Sequence, residues 1–403
     1  MKKLISLLMT FVLVVGLFAG FSLNSEPANA ASKTVIKLGC WGSSPAETEL
    51  LDNQIKEFEK LYPNIKIEKQ VITGDYNQQM QVKFASRTEP DVFYLDVSLA
   101  PAYMAKNVIE PLDKYIDKND VKDFETSLLN GFTRNGKIYG LPKDYNTLAI
   151  FYNKDMFKEA GITKAPTTWK ELEEAAKKLT KDGVKGMALS IDAARFIPFM
   201  FQAGAQINNG DKPVFNTPQA AKGLDFYVSL LKKGYAATPK ELGVGWNGDA
   251  LAQKKAAMVI EGGWMIPFMK DAAPDVNYGI AKLPKGDKEG DLVFTVAYVM
   301  SARSKHKAEA AEVIKFLTGR QALLMTAESG LAIPSRKSMG GVYTQKYPER
   351  KPLVDMVRYS KVYQFGLKGA KILDSLTKAC EKLYYKKVKD ARTALEQAVK
   401  EIK

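Results

Sequence analysis

The amino-terminal part of the 403-residue chain alternates between strand-like and helix-like segments, and this constrains the fold more than any other feature. Strands are predicted at residues 35–41, 65–72 and 90–96, and amphipathic helices at 45–62 and 76–86. A β-α-β-α-β order requires parallel strands that are joined by right-handed crossovers. The sequence therefore predicts an α/β fold in which the loops after the three strands open on one edge of a parallel sheet.

A second series of the same kind follows. Strands are predicted at residues 148–152, 186–190 and 294–300, and helices from 168, from 217 and at 308–317, with a mostly helical tail from about 352 to 403. Thr168 and Glu171 form a capping box, and Trp169 shares a face with the leucines of that helix, so Trp169 is predicted to be a core residue. Two α/β units joined by strand-like segments predict two lobes around a cleft.

Residues 256–268 are the candidate ligand-contacting stretch. They begin as a buried-type strand, which Gly262 and Gly263 then break. Trp264 follows directly, so a large rigid ring is predicted beside the carboxyl end of a strand, where ligands bind in open α/β sheets. The alternative is that Trp264 packs against the following helix, which is the commoner role for a tryptophan.

The charge balance is basic, with 59 Lys and Arg against 45 Asp and Glu and a formal net charge of +14. The lysines are dispersed over predicted helix faces, which favours a solvated basic surface over a nucleic-acid interface. No nucleic-acid partner is therefore expected. A positive field still permits an acidic wall or acidic solutes as partners.

Residues 1–30 have the pattern of a secretory signal peptide. Two lysines precede an apolar core at residues 4–21, and Ala-Asn-Ala at 28–30 is a small-residue cleavage site. No later stretch is long and apolar enough for a membrane span. We expect an exported protein, at the extracellular face of the membrane or cell wall or in a periplasm.

Residues that carry common catalytic chemistry are scarce. Ser–His–Asp, Cys–His and multi-histidine metal sites need a histidine in a cleft. The single histidine, His306, begins an alanine-rich helix and is predicted to lie at the surface. Cys40 and Cys380 are far apart in sequence and predict two free, buried thiols. No catalytic residue, metal or cofactor is expected.

Several short motifs occur in a fixed order along the chain. They are Trp41 after the first strand, Glu89-Pro90-Asp91-Val92, Pro142 with Tyr152-Asn153-Lys154-Asp155, Pro166-Thr167-Thr168-Trp169, Ala257-Met258 to Gly263-Trp264, and Ala310-Ala311 to Phe316-Leu317. Their order and spacing behind an export signal resemble the family 1 extracellular solute-binding proteins of carbohydrate ABC importers, of the maltose-binding-protein type. The likeness covers nearly all of the chain after the export signal.

The resemblance implies a two-lobed periplasmic-binding-protein-like fold, with a mainly parallel sheet flanked by helices in each lobe and a ligand cleft and hinge between the lobes. It assigns residues 31–143 plus about 297–336 to one lobe and 144–296 plus about 337–403 to the other. Crossovers are expected near 142–147, near 294–297 and after Pro334. Such proteins close around a solute by hinge bending and present the closed form to a permease.

The function that the resemblance implies is that of a receptor without catalytic activity. It captures a carbohydrate, expected to be an oligosaccharide, and delivers it to the membrane permease subunits of an ABC importer. The receptor is expected to be a monomer.

The resemblance also implies a site of aromatic rings, on which the C–H faces of sugars lie, and of polar groups that pair with hydroxyls. Trp264 matches the family's stacking tryptophan, Trp41 is expected to line the cleft, and Asp96 to reach it from a strand end. Asn146 stands where maltose-binding protein has a carboxylate, which argues against assigning maltose. The further candidates, each with a structural alternative, are Glu47, Asp75, Asp144, Tyr145, Arg195, Trp246, Glu261, Tyr298 and Phe365. For Glu47 the alternative, a capping-box partner, is preferred.

Three other functions remain open from the sequence. The same scaffold can bind a charged solute such as a sugar acid or a glycerophosphodiester, which the basic charge permits. A secreted glycoside hydrolase needs two carboxylates across a glycosidic bond, and Asp96, Asp144 and Glu261 supply enough of them. A lectin or cell-wall adhesin would have a shallow site and no hinge closure.

Overall fold

The computed structural model of the protein describes residues 33–42 and 44–402. Its strands and helices build one large mixed sheet that is flanked by helices, which confirms the predicted α/β class. The predicted signal peptide at residues 1–30 lies outside the described residues. Within the described part, no helix combines the length and the apolar character that crossing a membrane requires.

Most predicted elements begin and end within a few residues of the observed ones. The strands are β1 Thr34–Trp41, β2 Ile65–Ile72, β3 Val92–Asp96, β4 Thr133–Arg134, β5 Lys137–Ile138, β6 Gly140–Asn153, β7 Lys185–Ala188, β8 Asn208–Asn209, β9 Lys212–Pro213, β10 Ala236–Ala237, β11 Ala256–Gly262, β12 Tyr278–Ala281, β13 Asp291–Met300, β14 Ile333–Pro334 and β15 Ser360–Val362. The α-helices are α1 Pro45–Leu61, α2 Tyr76–Ser86, α3 Ala100–Ala105, α4 Thr126–Gly131, α5 Lys154–Glu159, α6 Trp169–Leu179, α7 Ala193–Gln202, α8 Pro218–Lys232, α9 Asn247–Ala252, α10 Met265–Ala272, α11 Lys307–Leu317, α12 Arg320–Ser329, α13 Lys337–Lys346, α14 Lys351–Asp355, α15 Gly369–Tyr384 and α16 Ala391–Ile402. Short 3-10 helices span Asp120–Asp123, Pro348–Arg350 and Met356–Arg358.

The parallel pairing of the amino-terminal strands is as the sequence predicts. Strand β1 pairs in parallel with β2 on one side and with β3 on the other. The main path through the sheet is β10-β7-β11-β6-β13-β3-β1-β2, with β12 and β14 also paired to β6 and β15 paired to β13. Strands β10, β7 and β11 form a second parallel set, and β6 and β13 run antiparallel to each other between the two sets.

Strand β6 differs from its prediction. The predicted passage between the two units near residues 142–147 is present, but instead of a separator followed by a new strand at 148–152, one continuous strand spans Gly140–Asn153. Its first half pairs with β13 and β14, and its second half pairs with β11 and β12. Pro142 is accommodated because the pairing with β13 shifts register beside it and leaves Lys143 without a partner, and prolines are tolerated at such bulges. The predicted separator is therefore part of the strand that joins the two units.

Two hydrophobic cores share β6. Leu141 belongs to the first core, together with residues of β1, β3 and α11, whereas Leu148 belongs to the second core, with residues of β7, β11, α7 and α8. At the crossing, Tyr145 of β6 pairs with Thr295 of β13 and with Ile333 of β14. Ile333 packs into the second core although the predicted boundary assigns it to the first lobe. The lobe boundaries themselves stay a prediction.

Helix starts follow the predicted capping signals. Ser44 caps α1 by accepting a hydrogen bond from the Glu47 backbone N–H at 3.3 Å, and the Ser44 backbone N–H lies close enough to the Glu47 carboxyl to lower its pKa. At α6 the full capping box forms between Thr168 and Glu171. Trp169 stacks on a phenylalanine ring in the second core, as predicted.

The predictions about the single histidine and the two cysteines are confirmed. His306 is exposed at the start of α11. Cys40 and Cys380 are both buried and unbonded to each other.

Close packing of α7 and α8 depends on a glycine. A Cβ at Gly223 of α8 would lie 2.5 Å from the backbone of Met200 in α7, whereas nothing lies within 4 Å of the same position at Gly341, on the exposed side of α13. We predict that Gly223→Ala lowers the free energy of unfolding by about 1–3 kcal/mol through overpacking. The matched Gly341→Ala raises it by about 0.5–1 kcal/mol through helix propensity. Denaturant titration of both variants measures this difference, and equal effects would contradict it.

Asp291 is a buried carboxylate at the start of β13 that has no salt bridge among the described residues. Its Oδ1 accepts a hydrogen bond from the Leu292 N–H at 2.7 Å, and its Oδ2 lies 3.4 Å from the Ser360 hydroxyl. Burial raises the pKa of Asp291 well above its ordinary value, and these hydrogen bonds oppose the shift only in part.

A raised pKa in the folded state means that folding binds a proton, so stability is lost as pH rises from the unfolded pKa toward the folded one. Asn is a close match for the neutral carboxyl group. We therefore expect Asp291→Asn to melt at a higher temperature than the parent protein at pH 7–8, with a difference that shrinks toward about pH 4. Thermal unfolding across this pH range is the measurement. The control is Asp271→Asn at an exposed site, and a similar gain there would contradict the interpretation.

Candidate ligand-binding cleft

A cavity of about 250 Å³ is lined by residues from both cores. The first core contributes Tyr94 and Leu317, and Trp264, which packs against the second core, lines the cavity as well. The cavity brings together six of the residues that the sequence proposes for ligand binding: Trp41, Glu47, Asp144, Asn146, Trp264 and Tyr298.

The two glycines before Trp264 set the position of its ring. The ring lies against Gly262, where a Cβ would come 2.3 Å from a ring carbon. At Gly263 a Cβ would lie 2.4 Å from the Asn146 Oδ1. A side chain at either position would collide with a wall of the cavity, so close approach explains both glycines. Trp264 is half-buried, between the second core and the cavity.

Glu261, the last but one residue of β11, lies beneath this ring and is only 1% exposed. Its Oε2 accepts hydrogen bonds from the Trp264 Nε1 at 2.8 Å and from an Arg195 terminal nitrogen at 2.7 Å. Its Oε1 accepts from the Arg195 Nε at 3.2 Å and from the Asn247 Nδ2 at 2.9 Å. Four N–H donors therefore saturate the Glu261 carboxylate. The sequence predicts that this carboxylate contacts ligand, but it binds Trp264, Arg195 and Asn247 and does not line the cavity.

Lys143 and Asp144 form an ion pair on the wall of the cavity. Lys143 is the residue that the bulge in β6 leaves unpaired, and bulges often re-aim a side chain next to a functional site. Its ammonium lies 5.1 Å from the centre of the Tyr94 ring. Burial works against this charge, but the Asp144 carboxylate outweighs it and raises the pKa of Lys143 to about 12. The Lys143 ammonium therefore stays charged at neutral pH.

Glu47 projects from the first turn of α1 toward the same wall and has no salt bridge among the described residues. Loss of water around the Glu47 carboxyl raises its pKa, the Lys143 ammonium lowers it, the Asp144 carboxylate raises it, and the Ser44 backbone N–H lowers it. Lys69, which also lines the cavity, is paired with Asp52.

Trp41 and Tyr298 belong to an aromatic wall on the first core. The Trp41 ring packs edge-to-face against Tyr76 and Tyr94, at centroid distances of 5.2 Å and 4.9 Å. Tyr298 packs against Tyr94 at 5.2 Å and is only 2% exposed. Tyr298 therefore supports the wall from within the core, and Trp41 is its more accessible ring.

Other proposed residues lie outside the cavity, and three of them have a structural role. Asp75 is exposed and caps α2 by accepting from the Gln78 N–H at 3.0 Å. Asp96 accepts from the Ser98 N–H at 2.9 Å and from its hydroxyl. Trp246 packs on Phe268 at a centroid distance of 4.7 Å.

Tyr145 and Phe365 correct the prediction most clearly. Tyr145 is 1% exposed and points into the second core from the crossing of β6. Phe365 is 3% exposed in the same core. Neither side chain lines the cavity, because each is packed within the second core.

Several site residues are missed by sequence reasoning. Lys69, Lys143 and Pro267 line the cavity. Next to Trp264, an aromatic row continues through Phe294, at 5.6 Å, to Tyr363, 4.8 Å further on. Lys143 could have been found beside Asp144 in the same motif, but the row joins residues that are remote in sequence and carries no local signal.

Comparison with known proteins identifies the family of the chain. A family model described as bacterial extracellular solute-binding protein matches residues 42–323, which is more than half of the chain. The chain belongs to this family. The resemblance inferred from the ordered motifs is thereby confirmed.

Two curated relatives of this solute-binding protein are similar over most of their length. A putative binding protein of Brucella abortus is 26% identical over 321 residues, which cover 75% of this chain and 76% of the relative. An arabinooligosaccharide-binding protein of Bacillus subtilis is 25% identical over 343 residues, covering 80% and 77%. Both relatives are named as binding proteins and not as enzymes.

The fold is similar to that of an ABC substrate-binding protein from Listeria monocytogenes that was solved in complex with cycloalternan. The TM-score is 0.81 at 24% identity, and the match covers 92% of this chain and 98% of that one. This likeness confirms the predicted two-lobed solute-binding fold.

The charges around Glu47 can be tested directly. We predict that the Glu47 carboxyl titrates above the ordinary glutamate range, that Lys143→Met raises its pKa further, and that Asp144→Asn lowers it, because the ammonium stabilises the carboxylate and the neighbouring carboxylate opposes it. Carbon-detected NMR of labelled glutamate side chains, assigned with Glu47→Gln, measures all three values. Shifts of the same sign in both variants would contradict the proposed geometry.

Proposed function

We propose that this solute-binding protein is an extracellular receptor that captures an oligosaccharide between its two lobes and delivers it to the permease of an ABC importer. The observation that carries the proposal is the Trp264 ring, which reaches a polar cavity shared by the two cores. A flat, rigid ring suits the C–H face of a pyranose. Hinge closure would bring the aromatic wall of the first core toward the other side of the ligand.

The polar groups around the ring support a sugar ligand. Asp144, Asn146 and Glu47 line the same cavity and offer acceptors for hydroxyl groups, and the Asn146 amide and Lys143 ammonium are donors. Sites built in this way reject ligands that lack the matching hydroxyls, because buried polar groups are then left unpaired.

The row that continues from Trp264 through Phe294 to Tyr363 supports a ligand of more than one sugar ring. Phe294 and Tyr363 are only partly buried, so part of each ring is accessible beside Trp264. The relative from Bacillus subtilis is named for arabino-oligosaccharides, and the structure from Listeria monocytogenes holds cycloalternan. An oligosaccharide is therefore the ligand class that we favour for this chain.

The local charge argues for an uncharged ligand despite the net charge of +14. Lys143 is neutralised by Asp144 and Lys69 by Asp52, while Glu47 adds one negative charge. An anionic solute would find no uncompensated cation among the described residues that line the cavity. A sugar acid or glycerophosphodiester is consequently disfavoured relative to a neutral oligosaccharide.

The carboxylates support a receptor over a hydrolase. Glu261 is occupied by four donors. Glu47 and Asp144 lie on the same wall and share the field of Lys143, whereas glycoside hydrolysis needs two carboxylates on opposite sides of the bond. Export, a monomeric state and transfer to permease subunits are further parts of this proposal.

The decisive experiment is a thermal-shift screen of the protein from residue 31 onward against neutral mono- and oligosaccharides, followed by calorimetric titration. A ligand that binds the folded state raises the melting temperature by mass action. We expect a neutral oligosaccharide to bind and monosaccharides to bind more weakly. Strong salt dependence with an anionic solute as the best ligand would overturn the assignment. Release of labelled product after long incubation would overturn the receptor function.

For the oligosaccharide found, Trp264→Ala is expected to weaken binding by at least about 30-fold, since a central aromatic anchor contributes roughly 2 kcal/mol or more. The control is Trp246→Phe, whose ring packs on Phe268 outside the cavity, and it is expected to bind as the parent protein does. Calorimetry of both variants gives the comparison. Equal affinities for parent and Trp264→Ala would refute the stacking role.

A further inference from the structure

We propose that Glu261 is a positioning residue that fixes the Trp264 ring in its ligand-ready orientation before any ligand arrives. The geometry of Glu261 and Trp264 is independent of the proposed function, and only the consequence for ligand affinity rests on that function. A ring that must be immobilised on binding costs conformational entropy, whereas a ring that is already fixed does not. Because the second core fixes the Trp264 ring in advance, the affinity for a ligand is higher.

The first argument is the number and origin of the donors on Glu261. Arg195 comes from α7, Asn247 from the start of α9, and Trp264 from the turn after β11. One buried carboxylate thus ties three separate elements together at the edge of the cleft. A carboxylate that served only to neutralise Arg195 would not need the indole N–H.

The second argument is that the partners of Glu261 are themselves fixed. The Asn247 Oδ1 accepts from the Ser190 hydroxyl at 3.0 Å, which sets the amide so that its NH₂ points to Glu261. The Ser190 carbonyl in turn accepts from the Tyr227 hydroxyl at 2.6 Å. The chain of bonds therefore runs from the fully buried Tyr227 to the half-exposed indole ring.

The third argument concerns the other contacts of the ring. The guanidinium of Arg195 lies 5.6 Å from the Trp264 ring centre, and the Phe294 ring packs edge-to-face at 5.6 Å. Gly262 lets the backbone approach the ring directly. These contacts limit translation of the ring, but the N–H···O bond to Glu261 is the directional one that sets its rotation.

The isosteric variant Glu261→Gln should break or weaken this hold. The Oε1 accepts from Arg195 and Asn247, and the Oε2 accepts from Arg195 and Trp264. An amide NH₂ in the place of Oε2 faces the Trp264 N–H as a second donor, whereas an NH₂ in the place of Oε1 leaves the Trp264 N–H with a neutral oxygen, which is a weaker acceptor than the carboxylate. The variant also leaves the buried Arg195 without its counter-charge.

The test uses the indole N–H resonances of the four tryptophans in ¹⁵N-labelled, ligand-free protein, with Trp264 assigned by its loss in Trp264→Phe. Glu261→Gln is expected to shift the Trp264 indole proton upfield, to speed its exchange with water and to increase its fast motion. Trp169 is an internal control, because its Nε1 donates to Gln202 at 2.6 Å, remote from Glu261 in sequence. The control variant Glu241→Gln, whose exposed carboxylate accepts from Thr238 and Tyr384, should leave Trp264 unchanged.

If Glu261→Gln does not fold, the double variant Arg195→Met with Glu261→Met removes the ion pair without leaving a buried charge and keeps the question answerable. A folded variant of either kind whose Trp264 resonance, exchange and mobility match the parent would overturn the proposal. A merely structural role predicts a lower melting temperature with an unchanged indole signal.

Affinity is measured separately, by calorimetry with the tightest-binding oligosaccharide of the screen. We expect Glu261→Gln to bind about two- to tenfold more weakly than the parent, which corresponds to the cost of immobilising one side chain. An increase in Trp264 mobility without this loss would overturn the role in binding. If no oligosaccharide binds even the parent protein, the proposed function fails, while the ring measurement still decides whether Glu261 positions Trp264.

Discussion

Backbone hydrogen bonding at the crossing between the two cores is the constraint on which the rest of this structure depends. A segment that passes from one core to the other must keep its buried N–H and C=O groups paired all the way. Strand β6 meets this requirement by exchanging partners in mid-strand, from β13 and β14 to β11 and β12. Tyr145, paired on both edges, marks the crossing. A flexible linker at this point would have left both cores with unpaired strand edges.

The same crossing supplies the chemistry of the cleft. Because side chains alternate along a strand and a bulge re-aims one of them, β6 delivers Lys143 and Asp144 to one wall and Asn146 to the neighbourhood of Trp264 within a few residues. The proposed binding groups therefore lie on the element about which the lobes would move. A ligand that contacts them acts where a small change of backbone angle has its largest effect on the opening of the cleft.

Local sequence signals predict much of the fold, because periodicity and helix capping are local physics. The helix from Pro45, the capping box of Thr168 and the parallel strands around β1 follow from them. The continuity of β6 does not follow from local signals, because Pro142 indicates a break. Only the pairing with β13 shows that a bulge accommodates this proline. For the cleft, the glycines beside Trp264 are a readable signal. The role proposed for Glu261 has no such signal, because its partner Arg195 is 66 residues away. Nothing near Glu261 in the sequence reveals that its carboxylate already accepts four hydrogen bonds.

The contrast between the two buried carboxylates shows how the second core separates stability from function. Among the described residues no cation lies beside Asp291, so burial favours its neutral form. Glu261 has Arg195, and the desolvation of both charges is offset by direct pairing and by the bonds from Asn247 and Trp264. Replacing Arg195 and Glu261 with apolar residues need not cost stability, so stability alone does not explain the pair. Orientation of the indole ring explains the pair, because an apolar pair could pack against the ring but could not fix its rotation. A ring that stacks on the face of a sugar binds it more tightly when that rotation is fixed in advance.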